Sequence, residues 1–352
     1  MACRVAPADP PGSGVLARTE PIGHHVRPII ARGPRPSGVA CGVASVTGSW
    51  QSGVGRVTRS GTRTGTIGWS VAQEPGASVH RMITERLTRD PLDLRHELER
   101  AVERNEFGLE YQPIIDLQTG AIAGVEALLR WRHPLLGTIA PGDYLPLAEE
   151  TGLIVPIGER VIETASRQLR TWHLGFARMQ SLSLHVNVAP QQLASPGFAR
   201  AVERALDAAE TSPVSLTLEL GPGSAAHLDT CMELRDLGVN LALEDLGTGT
   251  TLDDVRRLPV SLVKLHPLFV SLAAGPPEDV VFAEALLQIA HARDLGTIGK
   301  GVETRDQARR LASLGCDLGQ GYLYSKPLGP EGIGTLLARG RVTFAGVVRA
   351  GR

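Results

Sequence analysis

From residue 90 onward, short apolar runs alternate with stretches in which apolar residues recur at helical spacing. The first stretch predicts a helix, because its apolar residues recur at roughly helical spacing with Arg and Glu between them. They are Leu92, Leu94, Leu98, Val102 and Phe107. Eight apolar runs of strand length follow, over residues 109–117, 122–131, 181–188, 215–220, 240–246, 261–266, 296–302 and 318–324. Further helical periodicity separates most of them, over residues 157–172, 198–209, 279–292 and 306–313.

Strand and helix units in alternation predict a mostly parallel sheet in an α/β fold. Eight strands over about 235 residues fit a closed, TIM-like (β/α)8 barrel, whose usual size is near 250 residues. Only residues 118–121 separate the first two runs. Because this link is too short for a crossover helix, the pair is predicted to be an antiparallel hairpin, so the first strand runs backwards. A doubly wound open sheet is the alternative, but no Gly-rich phosphate loop follows the first strand.

Residues 1–80 differ in composition from the rest of the chain. They contain no Phe, Tyr or Lys, and they have eight arginines against three acidic residues. Gly, Pro, Ser and Thr recur there without a period. A segment of this kind cannot bury enough apolar surface to offset its ordering entropy, so we predict a disordered tail before a domain over residues 90–340. The alternative is that the true start of translation is Met82.

Charge and cysteine content exclude several classes of protein. The formal net charge is −1, which argues against a nucleic-acid polymer or an anionic membrane as partner. No apolar run reaches the roughly 18 residues that a membrane-spanning helix requires. The four cysteines are scattered and form no Cys-x-x-Cys pair, so neither a zinc site nor a disulfide framework is predicted. A cytoplasmic location is the simplest expectation.

Polar side chains lie at the ends of most predicted strands, where barrels of this class carry their functional groups. They are Glu126, Asn187, Glu219, Glu244, Asp245, Lys264, Lys300, Glu303 and Gln320. A carboxylate inside an apolar run is costly unless it is paired or binds a metal. Several of them at one rim favour a metal site over isolated buried ion pairs, and oxygen ligands without cysteine favour Mg²⁺ or Mn²⁺. Two such ions could activate a water molecule and cleave a phosphodiester.

Several segments of the chain resemble one family in the same order. They read Tyr-Gln-Pro-Ile-Ile at 111–115, Gly-Val-Glu-Ala-Leu-Leu-Arg-Trp at 124–131 and Pro-Leu-Ala-Glu-Glu-Thr-Gly-Leu-Ile at 146–154. Val-Asn-Val at 186–188, Asp-Leu-Gly-Thr-Gly at 245–249 and Gln-Gly-Tyr at 320–322 agree with them. This set, over about residues 92–340, resembles the EAL domain, the family of cyclic di-GMP phosphodiesterases.

The resemblance implies roles for particular residues. The first metal would be bound by Glu126, Asn187, Glu219 and the acid at Glu244. Asp245 would help to bind a second metal, Lys264 would contact the attacking water or a phosphate, and Glu303 would support the site. Contacts to the ligand, cyclic di-GMP, are implied for Gln112, Arg130 and Gln320.

The chain also departs from the family pattern. Lys300 stands where active relatives have a glutamate that serves the second metal and the catalytic water. Glu244 replaces the aspartate expected to bridge the metals, and its extra methylene moves the carboxylate oxygens. Gly221 and Pro222 replace a Thr-Glu pair, and His266 replaces an aspartate. The loop over residues 245–252, which links the site to the dimer interface in relatives, lacks its usual aromatic residues.

These departures leave three functions open. An ammonium inserted among the carboxylates predicts a protein that binds cyclic di-GMP with impaired or absent hydrolysis. The alternatives are a working phosphodiesterase that yields the linear dinucleotide pGpG and a protein-interaction module that has lost the nucleotide. One Mg²⁺ or Mn²⁺ site is expected, and Lys300 argues against a second. A homodimer and a protein partner are further expectations from the resemblance.

Overall fold

The structure, a computed structural model, describes residues 91–341. Nine strands lie in this part of the chain, and they form one sheet. They are β1 (Phe107–Asp116), β2 (Ile122–His133), β3 (Gly137–Ile139), β4 (Ser183–Val188), β5 (Leu216–Leu220), β6 (Asn240–Leu246), β7 (Leu262–Leu265), β8 (Gly296–Gly299) and β9 (Leu318–Gly319). The predicted disordered tail lies outside the described residues.

Helices connect most of the strands, as the alternating pattern predicts. They are α1 (Pro91–Arg104), α2 (Pro141–Glu150), α3 (Ile154–Gly175), α4 (Pro190–Leu193), α5 (Phe198–Ala208), α6 (Leu228–Asp236), α7 (Leu252–Arg257), α8 (Pro267–Ala273), α9 (Pro277–Ala292), α10 (Arg305–Ser313) and α11 (Pro330–Arg339). Among residues 91–341, no helix has both the length and the apolar character that a membrane span requires.

Eight of the strands close into a barrel. Around it the order is β1-β9-β8-β7-β6-β5-β4-β2, and a second pairing joins β2 back to β1. Strand β1 is antiparallel to both of its neighbours, whereas the pairs from β2 and β4 through β8 and β9 are parallel. The barrel and its reversed first strand are therefore confirmed. The short strand β3 lies outside the barrel and pairs with the last three residues of β2, beyond the part of β2 that pairs with β4.

Several predicted boundaries are wrong. Phe107 begins β1 and pairs with Trp131, although the pattern predicted it as the last apolar residue of the first helix. The run 318–324 forms a strand only over Leu318–Gly319, and the run 296–302 only over Gly296–Gly299. The chain leaves both strands early because residues 320–323 turn around Val302, whose backbone N–H donates to the Gln320 carbonyl oxygen and whose carbonyl accepts from Leu323.

Two apolar clusters support the barrel. The larger one lies between the barrel strands and the helices around them, and it includes Leu184, Leu218 and Leu243. The smaller one packs Leu98 of α1 and Tyr144 of α2 against Trp131, with all three side chains fully buried. Because the inner strand positions are not needed to pack these helices, polar side chains can occupy the barrel interior at its functional end.

Gly321 allows the turn around Val302, and replacing it should destabilise the fold. A Cβ atom at this position would lie 2.2 Å from the Val302 carbonyl oxygen and 2.3 Å from its nitrogen. Backbone atoms cannot rotate away as a side chain can, so Gly321→Ala should lower the free energy of unfolding by about 1–3 kcal/mol. Urea unfolding measures the loss.

Gly142→Ala is the matched control for this substitution. Gly142 lies in α2 with nothing within 4 Å of a Cβ atom, so alanine should leave stability unchanged or raise it by up to about 1 kcal/mol through helix propensity. Equal effects of the two substitutions would contradict the proposed contact with Val302.

Candidate functional site

Three buried carboxylates from three strands meet inside the barrel. Glu126 of β2, Glu219 of β5 and Glu244 of β6 each offer an oxygen, and these oxygens lie within 4.8 Å of one another. All three residues are at most 5% exposed. Charges removed from water in this way require a counter-charge or a bound cation.

The Lys264 side chain supplies that counter-charge from β7. Its Nζ lies 2.9 Å from Glu126 Oε2, 2.6 and 2.7 Å from the two Glu219 oxygens and 3.8 Å from Glu244 Oε1. The side chain is completely buried. Burial alone would lower the pKa of Lys264, but the charges of Glu126, Glu219 and Glu244 outweigh it and raise the pKa. Lys264 is therefore an ammonium group at neutral pH.

Lys300 provides a second ammonium group nearer the mouth of the barrel. It follows β8, and its Nζ donates to Glu244 Oε1 at 2.8 Å and to Asp245 Oδ1 at 3.4 Å. Its side chain is 19% exposed. Burial opposes the charge, but the carboxylates of Glu244, Glu126 and Asp245 hold the pKa of Lys300 well above its usual range. The residue that replaces a glutamate of the family pattern thus binds two predicted metal ligands.

The carboxylates of the cluster have different proton affinities. Burial would raise the pKa of Glu126, but the charges of Lys264 and Lys300 and hydrogen bonds from Lys264 and Gln320 hold it well below its usual range. Burial, with the charge of Glu126, raises the pKa of Glu219 to about 7. Burial likewise raises the pKa of Glu244 to about 7, against the charge of Lys300. Near neutral pH, Glu219 and Glu244 are therefore partly protonated, whereas Glu126 is ionised.

Two amide side chains donate to Glu126, and a third contacts one of them. Asn187 Nδ2 donates to Glu126 Oε1 at 2.7 Å, and Gln320 Nε2 donates to Glu126 Oε2 at 2.6 Å. Gln320 Nε2 also lies 3.1 Å from Gln112 Oε1, and Gln112 Nε2 donates to the Ser325 carbonyl oxygen at 3.0 Å. Gln320 Oε1 is buried and has no hydrogen-bond partner among the described residues. This acceptor can take a donor or a cation from a bound molecule.

The donor set fits a hard divalent cation. Glu126, Glu219 and Glu244 present carboxylate oxygens, which are the ligand type that Mg²⁺ and Mn²⁺ prefer. Asn187 directs its amide nitrogen at Glu126, so its oxygen would reach a cation there only after the amide group turns over. Lys264 Nζ contacts the same oxygens, so a cation bound there must displace the ammonium group. The predicted metal ligands are therefore together, and Asp245 joins them through Lys300.

The backbone at Asp245 is strained. Its φ is +51°, in the left-handed region that non-glycine residues seldom occupy. The N–H groups of Thr248, Gly249 and Thr250 all point to its carbonyl oxygen, at 3.1, 3.1 and 3.4 Å, and hold the turn. A Cβ atom at Gly249 would lie 3.0 Å from Pro222 Cγ. The segments that contain Pro222 and Gly249 thus pack against each other beside Asp245, a predicted metal ligand.

Other predicted residues lie away from the carboxylate cluster. Arg130 Nε donates to Glu110 Oε2 at 2.8 Å, and both side chains are partly exposed. Glu303 is exposed, its backbone N–H donates to Gln307 Oε1, and no hydrogen bond or ion pair within residues 91–341 joins its side chain to the cluster. His266 Nδ1 accepts from the Leu268 N–H and so caps α8.

The sequence analysis missed His185 and Glu110. His185 Nδ1 lies 2.9 Å from Glu219 Oε1, and the histidine is 2% exposed. Burial and the charge of Lys264 lower the pKa of His185 to about 3, so the imidazole is neutral. Strand alternation could have identified it, because residues two apart face the same side and Asn187 was already placed in the site. Strand alternation could likewise have identified Glu110, which is two residues from Gln112.

Comparisons with known proteins point to one family. The sequence profile of the EAL domain family matches residues 95–327. The bifunctional diguanylate cyclase/cyclic di-GMP phosphodiesterase MucR of Pseudomonas aeruginosa is 38% identical over 248 residues, which cover 69% of this chain and 36% of MucR. The uncharacterized protein Rv1357c of Mycobacterium tuberculosis is 37% identical over 254 residues, which cover 68% of this chain and 82% of Rv1357c.

Solved structures show the same relationship. A MucR phosphodiesterase in complex with cyclic di-GMP has a TM-score of 0.64 at 37% identity, and the match covers 68% of this chain and 99% of that one. The chain spans little more than a third of the length of several curated relatives that it matches.

The ion pairs of Lys264 should dominate the stability of the cation-free barrel. Lys264→Met leaves buried carboxylates without their counter-charge, and the loss of one partner of a buried pair costs about 3–5 kcal/mol. Unfolding in urea with a chelator present measures this loss. Lys326→Met is the control, because Lys326 is exposed and its Nζ lies 5.7 Å from the centre of the Tyr322 ring, so the cost should stay below about 1 kcal/mol. A Lys264→Met protein as stable as this control would contradict the assignment.

Proposed function

Because the chain belongs to the EAL domain family, we propose that it binds cyclic di-GMP at the mouth of the barrel and hydrolyses it slowly or not at all. Binding is supported by the retained side chains Gln112, Arg130, Asn187 and Gln320 and by the relative MucR, whose structure is a cyclic di-GMP complex. Impaired hydrolysis is supported by two predicted site residues, chiefly by the ammonium group of Lys300 and also by Glu244, which is longer than the aspartate of the family pattern.

The contact of Lys300 with Glu244 and Asp245 carries the proposal. Its Nζ lies 2.8 Å from Glu244 Oε1 and 3.4 Å from Asp245 Oδ1, the two acids that would serve a second cation. A unit positive charge about 4 Å from a divalent cation costs on the order of 8 kcal/mol at an effective dielectric constant of about 20. The ammonium group therefore competes with a second cation for both acids. No carboxylate remains at position 300 to orient a water molecule.

Charge balance favours a single cation. The carboxylates of Glu126, Glu219, Glu244 and Asp245 and the two ammonium groups leave a formal charge of −2 when all are ionised. One Mg²⁺ or Mn²⁺ neutralises this charge, whereas a second would leave an excess of +2 in a buried site. Glu126, Asn187, Glu219 and Glu244 would hold the single cation. When bound, it would supply electrostatic stabilisation to a phosphate oxygen of the ligand.

The remaining predicted residues would act on the ligand. Gln320 Oε1, a buried acceptor without a partner among the described residues, suits a donor of a guanine base. Arg130, which is partly exposed, suits a phosphate oxygen. Lys264 would contact a phosphate once a cation displaces it from Glu219. We keep Glu303 as a supporting residue at the mouth, and a homodimer, a protein partner and a cytoplasmic location stay predictions.

A second candidate function is a working, metal-dependent phosphodiesterase that yields pGpG. It is favoured by the contacts that bring Glu126, Asn187, Glu219 and Lys264 together within hydrogen-bonding distance. A protein-interaction module without nucleotide is the third candidate, and it gives no reason for a buried cluster of this composition.

One experiment separates the three functions. The full chain is incubated with cyclic di-GMP and Mn²⁺, product is followed by chromatography, and binding is measured by calorimetry on the same preparation. Saturable binding without product supports the proposal. Production of pGpG at the rate of the MucR phosphodiesterase, measured in parallel, makes the protein an enzyme. Absence of binding with Mn²⁺, with Mg²⁺ and with Ca²⁺ leaves the interaction module.

Restoring the family glutamate at position 300 should not restore full activity. Lys300→Glu removes the ammonium group, but Glu244 still replaces the shorter aspartate and displaces the bridging oxygens. We expect turnover at least about 10²-fold below that of the MucR phosphodiesterase, and higher turnover for Lys300→Glu combined with Glu244→Asp. Lys300→Met is the control that removes the charge without adding a carboxylate. A Lys300→Glu single variant as fast as MucR would disprove this prediction.

The ion pair between Arg130 and Glu110 should weaken binding of an anionic ligand. Glu110→Gln removes a charge whose oxygen lies 2.8 Å from Arg130 Nε and leaves the guanidinium for a phosphate. Because the pair is partly exposed, affinity for cyclic di-GMP should rise only about two- to fivefold. Calorimetry at two salt concentrations measures it, and Arg130→Gln should lower the affinity instead. Weaker binding by Glu110→Gln would show that Glu110 positions Arg130.

A further inference from the structure

A buried histidine lies one layer below the carboxylate cluster. His185 is in β4, and strand alternation places Ser183, His185 and Asn187 on one side of the strand, toward the barrel interior. Asn187 reaches Glu126 Oε1, and His185 reaches Glu219 Oε1 at 2.9 Å. Strand β4 thus carries the predicted metal ligand Asn187 and, through His185, also contacts a second predicted ligand, Glu219, from below.

The contacts of His185 fix the direction of its hydrogen bond to Glu219. The two Glu219 oxygens lie 2.6 and 2.7 Å from the Lys264 ammonium group, so the carboxylate accepts on both oxygens. When Glu219 is ionised it has no hydrogen to donate, so His185 Nδ1 must carry the hydrogen and donate it to Oε1. The other ring nitrogen, Nε2, lies 3.2 Å from the Ser183 hydroxyl oxygen, which is its hydrogen-bond partner on that side of the ring.

We propose that His185 is a positioning residue for cation binding, which holds the Glu219 carboxylate in its ligating orientation through the Nδ1–H bond. This inference rests on the single-cation site of the proposed function, but not on nucleotide binding. A cation that takes the Glu219 oxygens displaces Lys264, and the bond from His185 then remains as the contact that holds Oε1. Groups that orient metal ligands in this way commonly contribute 10- to 100-fold to metal affinity.

Two amide variants of His185 separate this role from simple filling of space. The side-chain nitrogen of asparagine is as many bonds from Cα as Nδ1 of histidine, so His185→Asn can keep the donor to Glu219. The side-chain nitrogen of glutamine is as many bonds away as Nε2, so His185→Gln places its donor toward Ser183 instead. His185→Ala removes both. Each variant is tested as the full chain by calorimetric titration with Mn²⁺ in the absence of nucleotide, and a thermal melt checks that it is folded.

The expected order of Mn²⁺ affinity distinguishes the outcomes. His185→Asn should bind Mn²⁺ within about threefold of the unmodified protein, while His185→Gln and His185→Ala should bind it about 10- to 100-fold more weakly. The inference is overturned by equal affinity of the asparagine and glutamine variants, by melting temperatures that change while affinity does not, or by an unmodified protein that takes up no Mn²⁺. Failure here leaves cyclic di-GMP binding open, because the nucleotide is absent from the titration.

Discussion

The burial of three carboxylates around one ammonium group is the constraint on which the rest of the site depends. Glu126, Glu219 and Glu244 come from three different strands, and the Lys264 Nζ contacts all of them within 3.8 Å. Water cannot solvate these groups inside the barrel, so each strand must hold its acid at a fixed height relative to β7. The register of the parallel strands therefore determines the geometry of the site, and a change of register would separate the carboxylates from Lys264.

Lys300 repeats this chemistry at a different depth. It binds Glu244 and Asp245 at the mouth, where its side chain is 19% exposed, whereas Lys264 is completely buried. An ammonium group at the mouth needs less compensation than one in the interior, because water still reaches it. The chain can therefore carry an ammonium group at position 300 that donates to Glu244 and Asp245 and forms no hydrogen bond to Glu126 or Glu219 within the described residues, although its charge also lowers the pKa of Glu126.

The sequence was sufficient for the architecture but not for every boundary or partner. Alternating runs and the short link at residues 118–121 predicted the barrel and its reversed strand, because they report on local geometry. The end of β9 could not be predicted, since it depends on the approach of Gly321 to the Val302 backbone, a contact between distant segments. The polar residues His185 and Glu110 were missed for a related reason: their spacing from Asn187 and Gln112 shows which way they face, but only the assembled barrel shows what they touch.

The separation in depth also distinguishes two sets of contacts within the barrel, on which the proposed separation of ligand binding from hydrolysis rests. Glu126 is held by Lys264, Asn187 and Gln320, and Gln320 in turn contacts Gln112, so the groups that suit a cation and a nucleotide form one network. Lys300 has no hydrogen bond within the described residues to any member of that network. It donates to Glu244 and Asp245, and only its charge acts on Glu126. A substitution at this position can remove the group that would orient water and leave the binding network intact.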